Sequence, residues 1–323
     1  MPPWTEGAAD SFQARFERRW GHLTRPHVRA LAWLLDAPDL LDPASAHWGG
    51  RIATLAPLTQ ANADWLAALE ADPAPLEAAL GPRVYSRLGL YAEKLLAFYF
   101  ASQGVLVAHG LQVRANKNDT VGEFDFLLRQ GGALLHWEFA TKFYLLDGAP
   151  DPGSFHRLIG PNLADSLGLK MRKIIDKQLA LAAHPAAQSL LPGAVESAQA
   201  LVKGCLFYPD GVVRAMAGIA PAHNHGFWCP LERVGGLADE LYVPMARLQW
   251  LAPLKVAAAT PAFDRAALRQ MLAAQFAVTP AAVMVAAVRE ENGWLLERER
   301  GFIVPDDWSR QAAERRADGR LPQ

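Results

Sequence analysis

The stretch GEFDFLLRQGGALLHWEFATKFYLL, residues 122–146, constrains the fold more tightly than any other part of the chain. Its two halves are rich in aromatic and branched residues and flank Gly131-Gly132, a pair that readily forms a two-residue hairpin turn. Side chains alternate along a strand, so His136, Glu138, Ala140, Lys142 and Tyr144 point one way. Trp137, Phe139, Thr141, Phe143 and Leu145 point the other. On the partner strand Phe124, Phe126 and Leu128 mark the apolar side, with Glu123, Asp125 and Leu127 opposite them. A turn at Gly131-Gly132 pairs Gln130 with Ala133 and sets Asp125 across from Glu138, with Cβ atoms roughly 5 Å apart. Two facing carboxylates repel unless one is protonated, basic groups reach in, or a cation sits between them, and a divalent cation is the functional form of that remedy. The alternative is a solvated face on which Glu123 and Lys142 form a diagonal ion pair worth about a few tenths of a kcal/mol.

The rest of the chain predicts an α/β protein. Residues 10–80 alternate helical stretches with Pro, Gly and Asp punctuation, and GPRVYSRLGLYAEKLLAFYFASQG adds a helix with Leu88, Tyr91, Leu95 and Phe98 on one face and Gly104 as its stop. VLVAHGLQVRANKN and the hairpin supply three strands. A loop at 147–161, an amphipathic helix in ADSLGLKMRKIIDKQLALAAH and a strand in ALVKGCLFYP follow. The tail carries a helix, FDRAALRQMLAAQ, and a hairpin turning on Asn-Gly in VMVAAVREENGWLLERERGFIVP. Three sections result: helical at 1–81, an α/β core at 82–210, and a mixed α+β section at 211–323.

With 323 residues, 51% of them hydrophobic, the chain can bury a large core. Lys and Arg total 32 against 33 for Asp and Glu, so a polyanion must find a local patch rather than a global field. Two cysteines, Cys205 and Cys229, are too few for a disulfide framework. The first residues have no charged n-region ahead of an apolar run, and no run of about 18 uncharged apolar residues occurs. The expectation is a soluble cytoplasmic protein with no membrane partner.

A helix bearing an inward acid, an Asp-bearing strand, and a strand with Glu and a nearby Lys resemble the PD-(D/E)XK (restriction-endonuclease-like) superfamily over about residues 85–210. More narrowly, GEFDFLL, LLHWEFATKFYLL and KMRKIIDKQLAL resemble an uncharacterised bacterial family, a domain of unknown function placed in that superfamily. The resemblance implies a metal-dependent nuclease, or a nuclease-derived nucleic-acid-binding protein, acting on phosphodiester backbones. It implies Asp125 and Glu138 as Mg²⁺ ligands, Glu93 as a third acid, and Lys142 as the electrostatic residue. The usual motif spaces Glu and Lys two apart, whereas Ala140 holds that place here and Lys142 lies four residues on, about 13 Å from Glu138 along a strand. Lys170 or Lys173 on the next helix could supply the charge instead. The rival reading is a non-catalytic interaction protein on the same fold with a degenerate site.

Lys170, Lys173 and Lys177 recur at i, i+3 and i+7, a basic helix stripe suited to a nucleic-acid backbone or to plain solvation. His223, His225 and Cys229 lie within seven residues, but a structural zinc site needs four ligands and a packed loop is the better reading. Most of the ten tryptophans read as core. No Gly-rich phosphate loop, G-x-S-x-G turn or H-E-x-x-H motif occurs.

Overall fold

The computed structural model describes residues 11–82, 84–116, 119–148, 155–209 and 211–318. Residues 149–154 of the expected loop lie outside these. The helical N-terminal stretch forms α1 (Phe12–Trp20), α2 (Pro26–Asp36), α3 (Gln60–Ala71) and α4 (Ala74–Leu80). Each start follows from local chemistry: Ser11 accepts the Ala14 N–H at α1, Pro26 opens α2, and Thr59 and Asn62 form a reciprocal capping box at α3. Helix α5 (Leu88–Ser102) buries Leu88, Tyr91, Leu95 and Phe100, and Gly104 ends it at φ +67, a backbone region that favours glycine.

Three antiparallel strands follow: β1 (Leu106–Asn116), β2 (Asp119–Gln130) and β3 (Ala133–Leu146). The short β4 (Leu158–Ile159) pairs with the end of β3, then come α6 (Leu167–Lys173), α7 (Pro185–Gln188) and β5 (Val195–Pro209), which runs parallel to β3. Beyond it lie β6 (His225–Pro230), β7 (Leu241–Pro244), β8 (Lys255–Ala257), α8 (Arg265–Val278), β9 (Val283–Glu291), β10 (Trp294–Val304) and α9 (Trp308–Ala317). The β9–β10 hairpin turns on Asn292 and Gly293, both at positive φ, as Asn-Gly predicts.

Among the described residues the strands make one mixed ten-stranded sheet, ordered β1-β2-β3-β5-β6-β10-β9-β7, with β4 beside β3 and β8 beside β10. The sections 82–210 and 211–323 therefore share a sheet, and the main core runs through all three sections, from Phe16 to Ala312. Helix α5 covers the Trp137, Phe139, Phe143 and Leu145 face of β3, where the Phe100 ring meets the Trp137 ring edge-on at 5.9 Å. The opposite face is covered too: Ala140, Tyr144 and Leu146 pack under Leu167, Met171 and Ile174 of α6 and the turn after it. A sheet sandwiched between helices keeps most water off both faces, so a polar group on β3 either finds its partner inside or, like the Trp137 indole N–H and the Thr141 hydroxyl, has none among the described residues.

Two expectations change. The helix expected through residues 164–184 stops at Lys173, and Ile174–Gln178 follows as a π-turn before a 3₁₀ turn at Leu181–Ala183. The alternation on β2 also breaks at Asp125. Phe126 and Leu128 enter the main core, while Phe124 joins Leu127 and Val113 in a small cluster on the other side, beside Leu181.

Candidate functional site

The hairpin register is the one the turn predicts, running from Gln130–Ala133 to Phe126–Trp137. Continuing it sets Asp125 across from Glu138, but the ladder ends one pair short. From Asp119 to Phe124, strand β2 pairs with β1 alone, and from Glu138 onward β3 pairs with β5. The two strands thus fork: β3 has lain along β5 since Leu134, and past Trp137 it no longer pairs with β2. The Asp125 carboxylate stands in for the missing ladder partner, its Oδ2 accepting the Phe139 N–H at 2.8 Å.

The acids converge at this fork. Glu93 on α5, Glu123 and Asp125 are each half-buried, and one carboxylate oxygen from each lies within 4.8 Å of the others. Gly110 of β1, at φ +62, stands between the pairs His109–Phe126 and Leu111–Phe124, so the position opposite Asp125 carries no side chain. His109 Nε2 lies 2.7 Å from Glu93 Oε1. Glu138, 1% exposed, sits deeper and comes within hydrogen-bonding reach of Asp125. Its Oε1 is 2.8 Å from Nε2 of the fully buried His136, and its Oε2 accepts the Gln178 amide from the end of the π-turn. The solvated-face alternative therefore does not hold for Glu138.

Burial pushes both Asp125 and Glu138 well above the usual carboxylate range. The Glu138 charge adds to this at Asp125, while the Phe139 N–H and the Lys170 ammonium oppose it. At Glu138 the Asp125 backbone, Lys170 and the Asp125 side chain pull down and Glu93 pushes up. Burial lowers His136 to about 4, against the pull of Asp125, so its ring is neutral at pH 7. Lys170 is half-buried, and its ammonium makes no hydrogen bond or ion pair with described residues. Burial lowers its pKa, as do Lys142 and Lys173, while Asp125 and Glu138 draw it back up.

Lys142 lies elsewhere. Its ammonium is 3.4 Å from Asp165 Oδ2, which also accepts the Tyr144 hydroxyl at 2.9 Å, so its ion pair is with Asp165 and not with Glu123. Four residues of strand carry it past the acids to the loop ahead of α6. The expected lysine stripe divides along its length: Lys170 is half-buried and feels the charges of Asp125 and Glu138, whereas Lys173 and Lys177 are exposed, as is Arg172. Sequence reasoning did not assign Glu123, His109, His136 or Gln178 to the site. His136 was legible as a same-face neighbour of Glu138; Gln178 depends on the π-turn, which has no sequence signature.

The histidine-cysteine group forms no metal site. His223 Nδ1 lies 2.6 Å from the Ala220 carbonyl and Nε2 lies 2.8 Å from the Tyr208 hydroxyl, so neither nitrogen is free. Cys229 is buried against Phe227 and Val234. Of the tryptophans singled out, Trp48, Trp137, Trp228 and Trp250 are buried, and Trp294 lies under the Lys255 ammonium. No helix among the described residues is long and apolar enough to cross a membrane.

Comparison with curated proteins gave no match, and comparison with solved structures gave none. Residues 29–304, most of the chain, match the family described as Domain of unknown function (DUF1853), and the chain belongs to that family.

Proposed function

We propose that the fork between β2 and β3 holds a divalent cation and that the protein is a metal-dependent phosphodiesterase of the PD-(D/E)XK type. The observation that carries this is the gathering of Glu93, Glu123 and Asp125 at the point where the ladder opens, with Glu138 behind them and Lys170 alongside. All-oxygen donors suit a hard cation such as Mg²⁺ or Mn²⁺. The order α5, three antiparallel strands, α6 and a parallel β5 supports the superfamily reading. Asp125, Glu93 and Glu123 would hold the ion, and Glu138, steadied by His136 and Gln178, would complete the negative field. Lys170 takes the role expected of Lys142 and would neutralise charge developing on a phosphoryl group, where a bound cation supplies Lewis acidity. Arg172, Lys173 and Lys177 would contact the nucleic-acid backbone.

A second reading, a non-catalytic interaction protein, draws on the engagement of both Glu138 oxygens and on Ala140 at the usual lysine position. Mn²⁺ titration followed by thermal unfolding, with cleavage assays on single- and double-stranded DNA and RNA, tests both. The expected result is a rise in Tm of about 2–5 °C at saturating Mn²⁺, larger at pH 8 than at pH 5.5 because protons compete for the carboxylates, and absent in an Asp125→Ala/Glu138→Ala variant. A cation response without cleavage on any nucleic acid favours the interaction protein. No response in the wild type removes the metal site altogether.

A further inference from the structure

We propose that the C-terminal helix α9 is a clamp that positions Lys170 at the acidic fork, with Trp308 and Arg315 as its positioning residues. Helix α9 lies beyond the region matched by the family, which ends at residue 304. It nonetheless grips the chain that launches α6. The Trp308 indole N–H donates to the Pro161 carbonyl at 2.9 Å, and Arg315 Nη1 donates to the Leu163 carbonyl at 2.6 Å. Arg316 forms a 2.6 Å ion pair with Asp147, just after β3. The segment so held is not relaxed. Leu163 sits at φ +56, a region that side chains other than glycine rarely adopt, and such a conformation persists only where its surroundings impose it.

The segment sets the site in two ways. Asp165 takes the Lys142 ammonium and the Tyr144 hydroxyl, which keeps Lys142 off the acids. Ser166, fully buried, accepts the Leu169 N–H at 3.3 Å and the Lys170 N–H on its carbonyl at 3.0 Å, which fixes the first turn of α6 and the place of Lys170. Releasing Pro161 and Leu163 from α9 frees this turn to move, and the Lys170 ammonium moves with it.

The inference rests on the acidic fork being a cation site, and the test separates the two. Lys170 competes with a divalent ion for the same carboxylates, so Lys170→Met should bind Mn²⁺ more tightly than wild type, by about threefold to tenfold in calorimetric titration. Arg315→Ala should shift Mn²⁺ affinity in the same direction, Arg315→Lys should return it toward wild type, and adding Arg315→Ala to Lys170→Met should change nothing further. Trp308→Phe, which keeps the ring against Trp228 and removes only the N–H, is the second variant should Arg315→Ala unfold. Wild-type affinity in both clamp variants beside a shifted Lys170→Met overturns the clamp, as does full additivity in the double variant. Wild-type affinity in Lys170→Met overturns the place of Lys170 at the fork, and the clamp with it, while the absence of Mn²⁺ binding in the wild type overturns the site reading itself.

Discussion

Three neighbouring side chains hold Glu138 in a place where a carboxylate is costly. Its charge is nearly out of reach of water, its two oxygens are occupied by His136 and Gln178, and Asp125 crowds it from the fork. Because burial raises both acids, the folded chain keeps protons that the unfolded chain has released. Wild-type stability without a cation is therefore drawn down as pH rises from about 4 to about 7, and the deficit persists above that. Asp125→Asn removes one charge yet leaves an oxygen for the Phe139 N–H. It should match wild type near pH 4 and exceed it by about 1–2 kcal/mol at pH 8, measured by urea unfolding with a chelator present. A variant less stable than wild type at every pH would make Asp125 a structural acid.

The elements around the site are bent to meet it. A continuous α-helix through Gln178 would keep the spacing of 3.6 residues per turn, whereas the π-turn Ile174–Gln178 widens it and brings Gln178 onto Glu138. The exposed Lys173 and Lys177 remain where helical periodicity predicts them; the inward residues do not. Strand β3 is equally constrained on its β5 side. Gly204 lies so close that a Cβ there would stand 1.8 Å from the Lys142 carbonyl oxygen. Gly204→Ala should push β5 from β3 and cost about 1–3 kcal/mol or more in chemical denaturation. The turn at Gly131-Gly132, the hairpin register and the β9–β10 turn were all legible, because each is encoded within a few adjacent residues. The fork was not, since it arises where β2 follows β1 and β3 follows β5, and both choices involve residues distant in sequence.

At the scale of the molecule, one sheet and one main core leave no seam at residue 210. Strand β5 has β6 as its outer neighbour, Phe207 meets Phe302 at 4.7 Å, and the Trp228 indole donates to the Leu146 carbonyl at 2.9 Å. A buried ion pair fastens the far side. Arg300 binds both oxygens of Glu297 and the carbonyls of Trp250, Leu251 and Ala252, while Glu297 accepts the Leu254 N–H and the Gln13 amide from α1. A fragment of residues 82–210 should consequently fail to unfold cooperatively, while the whole chain should show one calorimetric transition with equal calorimetric and van't Hoff enthalpies. Two separated transitions in the whole chain would contradict this.

Sequence alone determined the helical N-terminal stretch, the three-strand meander and the register of its hairpin as far as Phe126–Trp137, because periodicity and turn chemistry are local properties. Tertiary structure decided that Glu123 joins Glu93 and Asp125 in the open acid cluster, that Glu138 lies buried behind them, and that both faces of β3 lie under packed helices. The physical reason is that burial and charge coupling depend on which distant elements pack together, and residues on α5, β2, α6 and the π-turn meet only once the sheet has closed around them.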